Sequence, residues 1–261
     1  MRYGVCVNVK DPATVATAKQ AGFDFVECDF TKLADASDDI FGSFADALEE
    51  NGIRCETANC FLPGRLPLFD GHDAPETADF LKRGFARAGR LGVGIIVFGS
   101  GGARNLPENA DFSACYQRFI SFLRETVSPA ARSYDMTVAV EPLCRGVCNF
   151  INTLSEGAMV VAAAGRDNIA LLADNYHMEQ MGEDVSLVRR MKGMLVHSHI
   201  SYPHAFGGRA RVFPSADRAW DYGAFIRAVA DAGCDRCSVE ASALDFEKDS
   251  FAAAKLLHSV F

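Results

Sequence analysis

No Lys- or Arg-rich run occurs in this 261-residue chain, whose 26 basic residues are outnumbered by 34 acidic ones for a formal net charge of -8. Proteins that grip nucleic acid neutralise phosphates with clustered basic side chains. A nucleic-acid partner is therefore not expected, and DNA repair chemistry is disfavoured. Long apolar runs are missing too. Nothing approaches the roughly 20 apolar residues that span a bilayer. The N-terminus, Met1 to Asn8, moves straight into a strand-like pattern without the apolar core of a signal peptide. No membrane association is expected, and the chain reads as cytoplasmic. Linkers and low-complexity segments are also absent. At a length that α/β barrels commonly fill undivided, this points to one domain over residues 1–261.

Cysteine is not scarce, but its nine copies form an odd number. Cys6, Cys28, Cys55 and Cys60 lie in or beside apolar runs, where a free thiol behaves as a small hydrophobe, so a disulfide scaffold is not expected. Cys234 and Cys237 have the spacing of half a zinc site, with Cys144 and Cys148 as the conceivable other half. The order of elements removes that option, as the next step shows.

Apolar strand-like runs fall at residues 3–9, 23–30, 53–62, 94–99, 137–143, 169–173, 194–200 and 237–241. Helix-period segments alternate with them at 11–21, 38–51, 75–91, 111–134, 154–164, 185–191, 222–232 and 249–258. Strict alternation implies a parallel sheet, and eight of each predicts an α/β fold of the single (β/α)8 TIM-barrel type. Longer connections follow the third, fourth and seventh strands, on the side where such barrels build their sites. Cys144 and Cys148 follow a strand and lie at the top; Cys234 precedes one and lies at the bottom. They cannot share a metal.

Four strand ends break the apolar pattern. Glu141 closes Thr137-Val-Ala-Val, Asp174 follows Ile169-Ala-Leu-Leu-Ala, His199 closes Met194-Leu-Val-His-Ser, and Glu240 closes Cys237-Ser-Val. A charge at the end of a buried strand is costly unless paired or coordinated. Consecutive strands of a barrel are neighbours, so these four side chains converge on one point. Three carboxylates and an imidazole there repel one another unless a cation lies between them. Mixed oxygen and single-nitrogen ligation suits Mn²⁺, Mg²⁺ or Co²⁺ better than a structural zinc. Among the other candidates, His197 lies one layer deeper and reads as a core histidine rather than a ligand. His177, three residues after Asp174, is near enough to meet a bound substrate. Trp220 reads as packing, and Phe61 and Phe98 as residues able to cover one face of a sugar.

The segments Glu141-Pro-Leu-Cys-Arg-Gly-Val-Cys-Asn149, Leu171-Leu-Ala-Asp-Asn-Tyr-His-Met178, Val196-His-Ser-His199 and Ser238-Val-Glu240 resemble the sugar phosphate isomerase/epimerase family with the xylose isomerase-like TIM barrel. Ketose 3-epimerases, hydroxypyruvate isomerase and inositol-catabolic enzymes belong to it. The resemblance implies one divalent metal on Glu141, Asp174, His199 and Glu240, with both glutamates as the acid–base pair. It further implies substrate contacts from His177 and from Arg211, three residues before Pro214. Val147 stands where ketose 3-epimerases carry a substrate-binding glutamate, and Cys144 and Cys148 replace a neighbouring Asn and Thr. That departure weakens the expectation of 3-epimerase action on free ketoses. Endonuclease IV relatives use additional histidines; here His72 and His258 lie outside the strand-end set, which disfavours that branch.

The expected activity is isomerisation or epimerisation of a small polyhydroxylated keto substrate through a cis-enediolate, one glutamate removing the α-proton and the other returning it. Two alternatives stand beside it: a metal-dependent dehydratase or lyase of the inositol-catabolic type, and a non-catalytic sugar-binding barrel. A homo-oligomer is a further expectation, with no interface located by the sequence.

Overall fold

The computed structural model describes residues 1–260. Eight parallel strands close a barrel in sequence order: β1 (Arg2–Val7), β2 (Phe25–Asp29), β3 (Arg54–Asn59), β4 (Ile95–Phe98), β5 (Thr137–Val140), β6 (Ile169–Asp174), β7 (Leu195–Ile200) and β8 (Arg236–Val239). Helices run between them, so the expected (β/α)8 barrel is the observed fold. No helix among the described residues is long and apolar enough to cross a membrane.

Period-two alternation decides what each strand sends inward. Ile95, Val97, Ala139 and Leu172 form a small apolar cluster separate from the main core. They plug the barrel beneath its mouth. The residues between them point outward and meet the helices. There Phe98 packs on Phe61 at 4.9 Å between ring centroids and on Phe119 at 5.5 Å, and Phe61 reaches Phe30 and Phe85 at 5.1 and 5.7 Å. Phe61 and Phe98 are thus fully buried in the outer core. The expectation that they cover a sugar is corrected, because Phe98 has the parity opposite to Gly99 and Glu141.

Two bulges adjust the registers. The β2–β3 pairing shifts after Val26, which sets Glu27 beside Thr57; the β6–β7 pairing shifts after Leu171, which sets Asp174 beside His199. Such bulges re-aim side chains next to sites.

The helical segments are less regular than their sequence period predicts. Residues 111–134 divide into an α-helix (Phe112–Ser121), a π-turn segment (Phe122–Val127) and a short helix (Ser128–Arg132). Pro129 in the last lacks the N–H that an unbroken helix needs. Val185–Met191 is a 3₁₀ segment. Two short helices had no periodic signal, Phe30–Asp35 and Asn175–Met181, and each starts on a strand-end aspartate, Asp29 or Asp174, whose side chain accepts a backbone N–H.

Gly84, on the helix Ala74–Leu91, lets Phe30 press against the helix backbone, and an added Cβ would fall deep inside the Phe30 ring contact. Phe30 is hemmed in by Phe61, Phe80 and Phe85 and cannot yield. Overpacking of about 1–3 kcal/mol therefore outweighs the roughly 1 kcal/mol that alanine gains in a helix. Gly84→Ala should lower the urea midpoint; an equal or higher midpoint would show that the helix shifts freely.

Candidate metal centre and active site

Glu141, Asp174, His199 and Glu240 each present a donor atom, and the four atoms lie within 4.8 Å of one another. They come from neighbouring strand ends on one arc of the barrel. His199 is central: its Nδ1 is 3.1 Å from Glu240, 3.4 Å from Glu141 and 3.9 Å from Asp174. Three oxygens and one nitrogen from buried or nearly buried side chains fit a divalent cation, since their mutual repulsion needs an offsetting charge.

Part of that charge is supplied by Arg211, which bonds Asp174 at 2.6 Å and pairs with Glu240. Its guanidinium also lies 4.9 Å from the Tyr176 ring centroid. Arg211 is carried by a hairpin-like arm, bridged at Tyr202–Val212 and Phe206–Arg209. The tip turns on Gly207 and Gly208, both at positive φ, a conformation that suits glycine.

His177 is set by a different bond. Cys144 N–H donates to its Nδ1 at 3.1 Å, so the proton sits on Nε2, which is 3.9 Å from Glu141 and 3.8 Å from Asp174. His177 thus offers an N–H donor to the mouth. Burial pushes its pKa down, which keeps the ring neutral.

The carboxylates differ in their surroundings. Burial raises Glu141 to about 7, with the His199 hydrogen bond pulling the other way and Glu240 adding repulsion. Asp174 and Glu240 are also buried, yet Arg211 holds both below the usual carboxylate range. Asn59 donates to Glu240 Oε1 at 2.7 Å, leaving Oε2 toward His199.

Several contributors have no mark in the strand-end pattern. Glu27, mid-strand in β2, is wholly buried beneath His199. The signal was present, since a charge inside the run Phe23 to Phe30 breaks the same rule as Glu141. Arg104 is fully buried and donates to the backbone carbonyls of Phe98 and Glu141 at 3.2 and 2.8 Å, joining the ends of β4 and β5. Asn59 ends β3 and Arg104 ends a short helix after β4 (Gly101–Arg104), and they reach Glu240 and Glu141, both far away in sequence.

The mouth opens into a pocket of about 570 Å³ lined in part by Asp29, Cys60, Ser100, Val147, His177 and Arg211. That size suits a small molecule. Val147 is 45% exposed there, and Trp220 packs against the core, as expected from sequence.

A closed eight-stranded barrel with a carboxylate–imidazole cluster at the C-terminal strand ends defines a class of barrels built around a single polar centre. The sequence model of the xylose isomerase-like TIM barrel matches residues 15–257, and the chain belongs to that family. It is 29% identical over 198 residues to L-ribulose 3-epimerase of Mesorhizobium japonicum, covering 73% of this chain and 64% of that protein. The chain's match therefore spans somewhat less than two thirds of that relative. Solved structures that share the fold include D-psicose 3-epimerase in the presence of D-fructose, with TM-score 0.79, 16% identity and coverage of 99% of this chain and 97% of that one, and IOLI protein with a bound zinc atom, with TM-score 0.73, 20% identity and coverage of 100% and 96%.

Gly99 supplies a test of the geometry. A Cβ there would collide with Glu141 Oε2, the far end of a side chain that can swing aside. Gly99→Ala should therefore fold with a stability change below about 1 kcal/mol while displacing the Glu141 carboxylate. The readout is divalent-ion affinity by calorimetry, and unchanged affinity would show that the Glu141 carboxylate, whose Oε1 faces His199, is not a donor.

Proposed function

We propose that this protein is a divalent-metal-dependent isomerase or epimerase of a small polyhydroxylated keto substrate. The observation that carries the reading is the convergence of Glu141, Asp174, His199 and Glu240 donor atoms within 4.8 Å at the barrel mouth. Kinship with L-ribulose 3-epimerase supports the substrate class. In this reading the four residues hold Mn²⁺, Mg²⁺ or Co²⁺. The bound ion supplies Lewis-acid charge for the oxyanion that develops when the α-proton leaves.

The remaining work belongs to side chains. Glu141 and Glu240 stand at the two ends of the arc, with Asp174 and His199 between them, so a substrate over the centre has one glutamate on each side. One takes the α-proton to give a cis-enediolate, and the other returns a proton to the opposite face for epimerisation or to the adjacent carbon for isomerisation. In the metal-free protein burial raises Glu141 to about 7 while Arg211 and His199 hold Glu240 low against burial, so the two carboxylates stand in unequal surroundings. His177 Nε2–H and the Arg211 guanidinium donate to substrate oxygens. Val147 places an apolar wall on the opposite rim.

NMR of ketoses, keto-acids and inosose derivatives with Mn²⁺- or Mg²⁺-loaded protein in D₂O tests the reading. Deuterium at the α-carbon with a product of unchanged mass is expected. Loss of water would instead indicate a dehydratase, and binding without exchange a non-catalytic barrel. Glu141→Gln and Glu240→Gln should each lower turnover by about 10²–10⁴ at saturating metal; near wild-type turnover in either would remove that residue from proton transfer. Because Val147 offers no hydrogen bond, free ketohexoses should be poor 3-epimerisation substrates, and efficient turnover of one would overturn this point.

Metal affinity should depend on pH with a definite sign. Ion binding competes with protons on Glu141, raised to about 7, and on His199, which Glu27 and Glu240 raise despite burial. Affinity should therefore fall as pH drops below 7, by up to about tenfold per unit for each proton displaced. Titration calorimetry at pH 6 and 8 measures it, and equal affinities would contradict the assigned donors.

A further inference from the structure

Glu27 has no part in the chemistry just described, yet it is the most completely buried carboxylate beside the centre. It accepts three hydrogen bonds: His199 Nε2 at 2.9 Å on Oε1, and His197 Nε2 and Thr57 Oγ1, each at 2.8 Å, on Oε2. None of these partners is a permanent cation. With the Thr57 hydroxyl and two imidazole nitrogens all at hydrogen-bond distance from its two oxygens, the carboxylate acts as the acceptor throughout, so both imidazoles present N–H at Nε2.

His197 bears a cost for this arrangement. Its Nδ1 is buried without a partner. The other neutral tautomer would be worse, because it would bury an unpaired N–H at Nδ1 and turn the Nε2 lone pair against a carboxylate. In His199 the same constraint has a different outcome. With Nε2 committed to Glu27, Nδ1 is the atom left to face Glu240, Glu141 and Asp174, and it is the nitrogen that gives up its proton when a cation binds.

The fold is adjusted to reach this geometry. The β2–β3 bulge sets Glu27 beside Thr57, and the β6–β7 bulge pairs Leu172 with His197 and Asp174 with His199. His177 provides the contrast: Cys144 N–H on its Nδ1 turns a donor toward the mouth, whereas Glu27 on the Nε2 of His199 turns an acceptor toward it. Two histidines in the same tautomer are thereby given opposite faces.

We propose, resting on the metal-dependent reading above, that Glu27 is a positioning residue that fixes His199 as the Nε2–H tautomer and so presents its Nδ1 lone pair to a divalent cation. His197 and Thr57 lock the plane of the Glu27 carboxylate. A carboxylate behind a ligating imidazole also raises the basicity of the ligand nitrogen. Glutamine at position 27 keeps one acceptor oxygen but loses the charge, and its amide meets the second histidine as a donor.

Zn²⁺-loaded protein, which is diamagnetic, allows the test. Long-range ¹H–¹⁵N correlation spectra of the wild type should show His199 with a protonated Nε2 and a metal-shifted Nδ1. Calorimetry with Zn²⁺ and Mn²⁺ should show Glu27→Gln binding about 10–100-fold more weakly, with the His199 Nε2–H signal moved or lost. Gly84→Ala, destabilised far from the centre, should keep wild-type affinity, which separates position from stability. If wild-type protein binds both ions while Glu27→Gln keeps the same affinity and the same His199 signals, the role of Glu27 is overturned and the metal centre stands. If wild-type protein binds neither ion, the metal centre falls and this role with it. Should Glu27→Gln fail to fold, the wild-type spectrum still decides: metal on Nε2 of His199, or a proton on its Nδ1, overturns the proposal.

Discussion

Repulsion among carboxylates in a closed space is the constraint on which the rest of the site depends. Two like charges about 4 Å apart repel by roughly 4 kcal/mol at an effective dielectric constant near 20. Here Glu141, Asp174 and Glu240 crowd within 4.8 Å of one another, with Glu27 one layer below. The surrounding polar groups are arranged against that repulsion. Arg211 bridges Asp174 and Glu240, Asn59 donates to Glu240, Tyr176 N–H donates to Asp174, and His197 with Thr57 surrounds Glu27. Glu141 has the fewest donors, and it is the carboxyl whose proton affinity burial raises to about 7.

The same constraint accounts for details that packing alone would not require. Gly99 lacks a side chain because Glu141 Oε2 occupies the space a Cβ would take. Arg104 lies wholly inside the protein because the Glu141 carbonyl lies past the last ladder bond, from Glu141 N–H to the Phe98 carbonyl, and needs another donor; the same guanidinium also reaches the Phe98 carbonyl. The bulges align the interior residues of β2 with β3 and of β6 with β7. Charge placement and backbone geometry are therefore settled together.

The barrel was legible because its signal is repeated eight times, and the four donors because each ends an apolar run with a charge. Alternation and strand order turn those two facts into a location. Glu27 obeys the same logic but lies mid-strand, flanked by Asp24 and Asp29, so it does not stand out as the one charge that ends an apolar run. Phe61 and Phe98 misled because aromatic character says nothing about which side of a strand it occupies. The helices starting at Asp29 and Asp174 went unseen for another reason: they are capped by strand-end carboxylates and are too short to show a period. Arg104 and Asn59 act on residues distant in sequence, and no local pattern records such partnerships.

The division of the site between strands and loops bears on how it can change. Asp174 and His199 are strand residues, and Glu141 and Glu240 immediately follow strands, so their spacing follows from barrel closure and is hard to alter without disturbing the sheet. Val147 lies in the connection after β5, His177 on a short helix after β6, and Arg211 on the arm after β7. These elements are joined to the barrel by few backbone bonds; the arm is held to itself by two isolated bridges and to Ser242 by a third. In the proposed reading the strands keep the proton-transfer centre constant while the connections select what is presented to it. Arg211 belongs to both sets. It neutralises the oxygens of Asp174 and Glu240, and any cation bound by those residues has to share them with it.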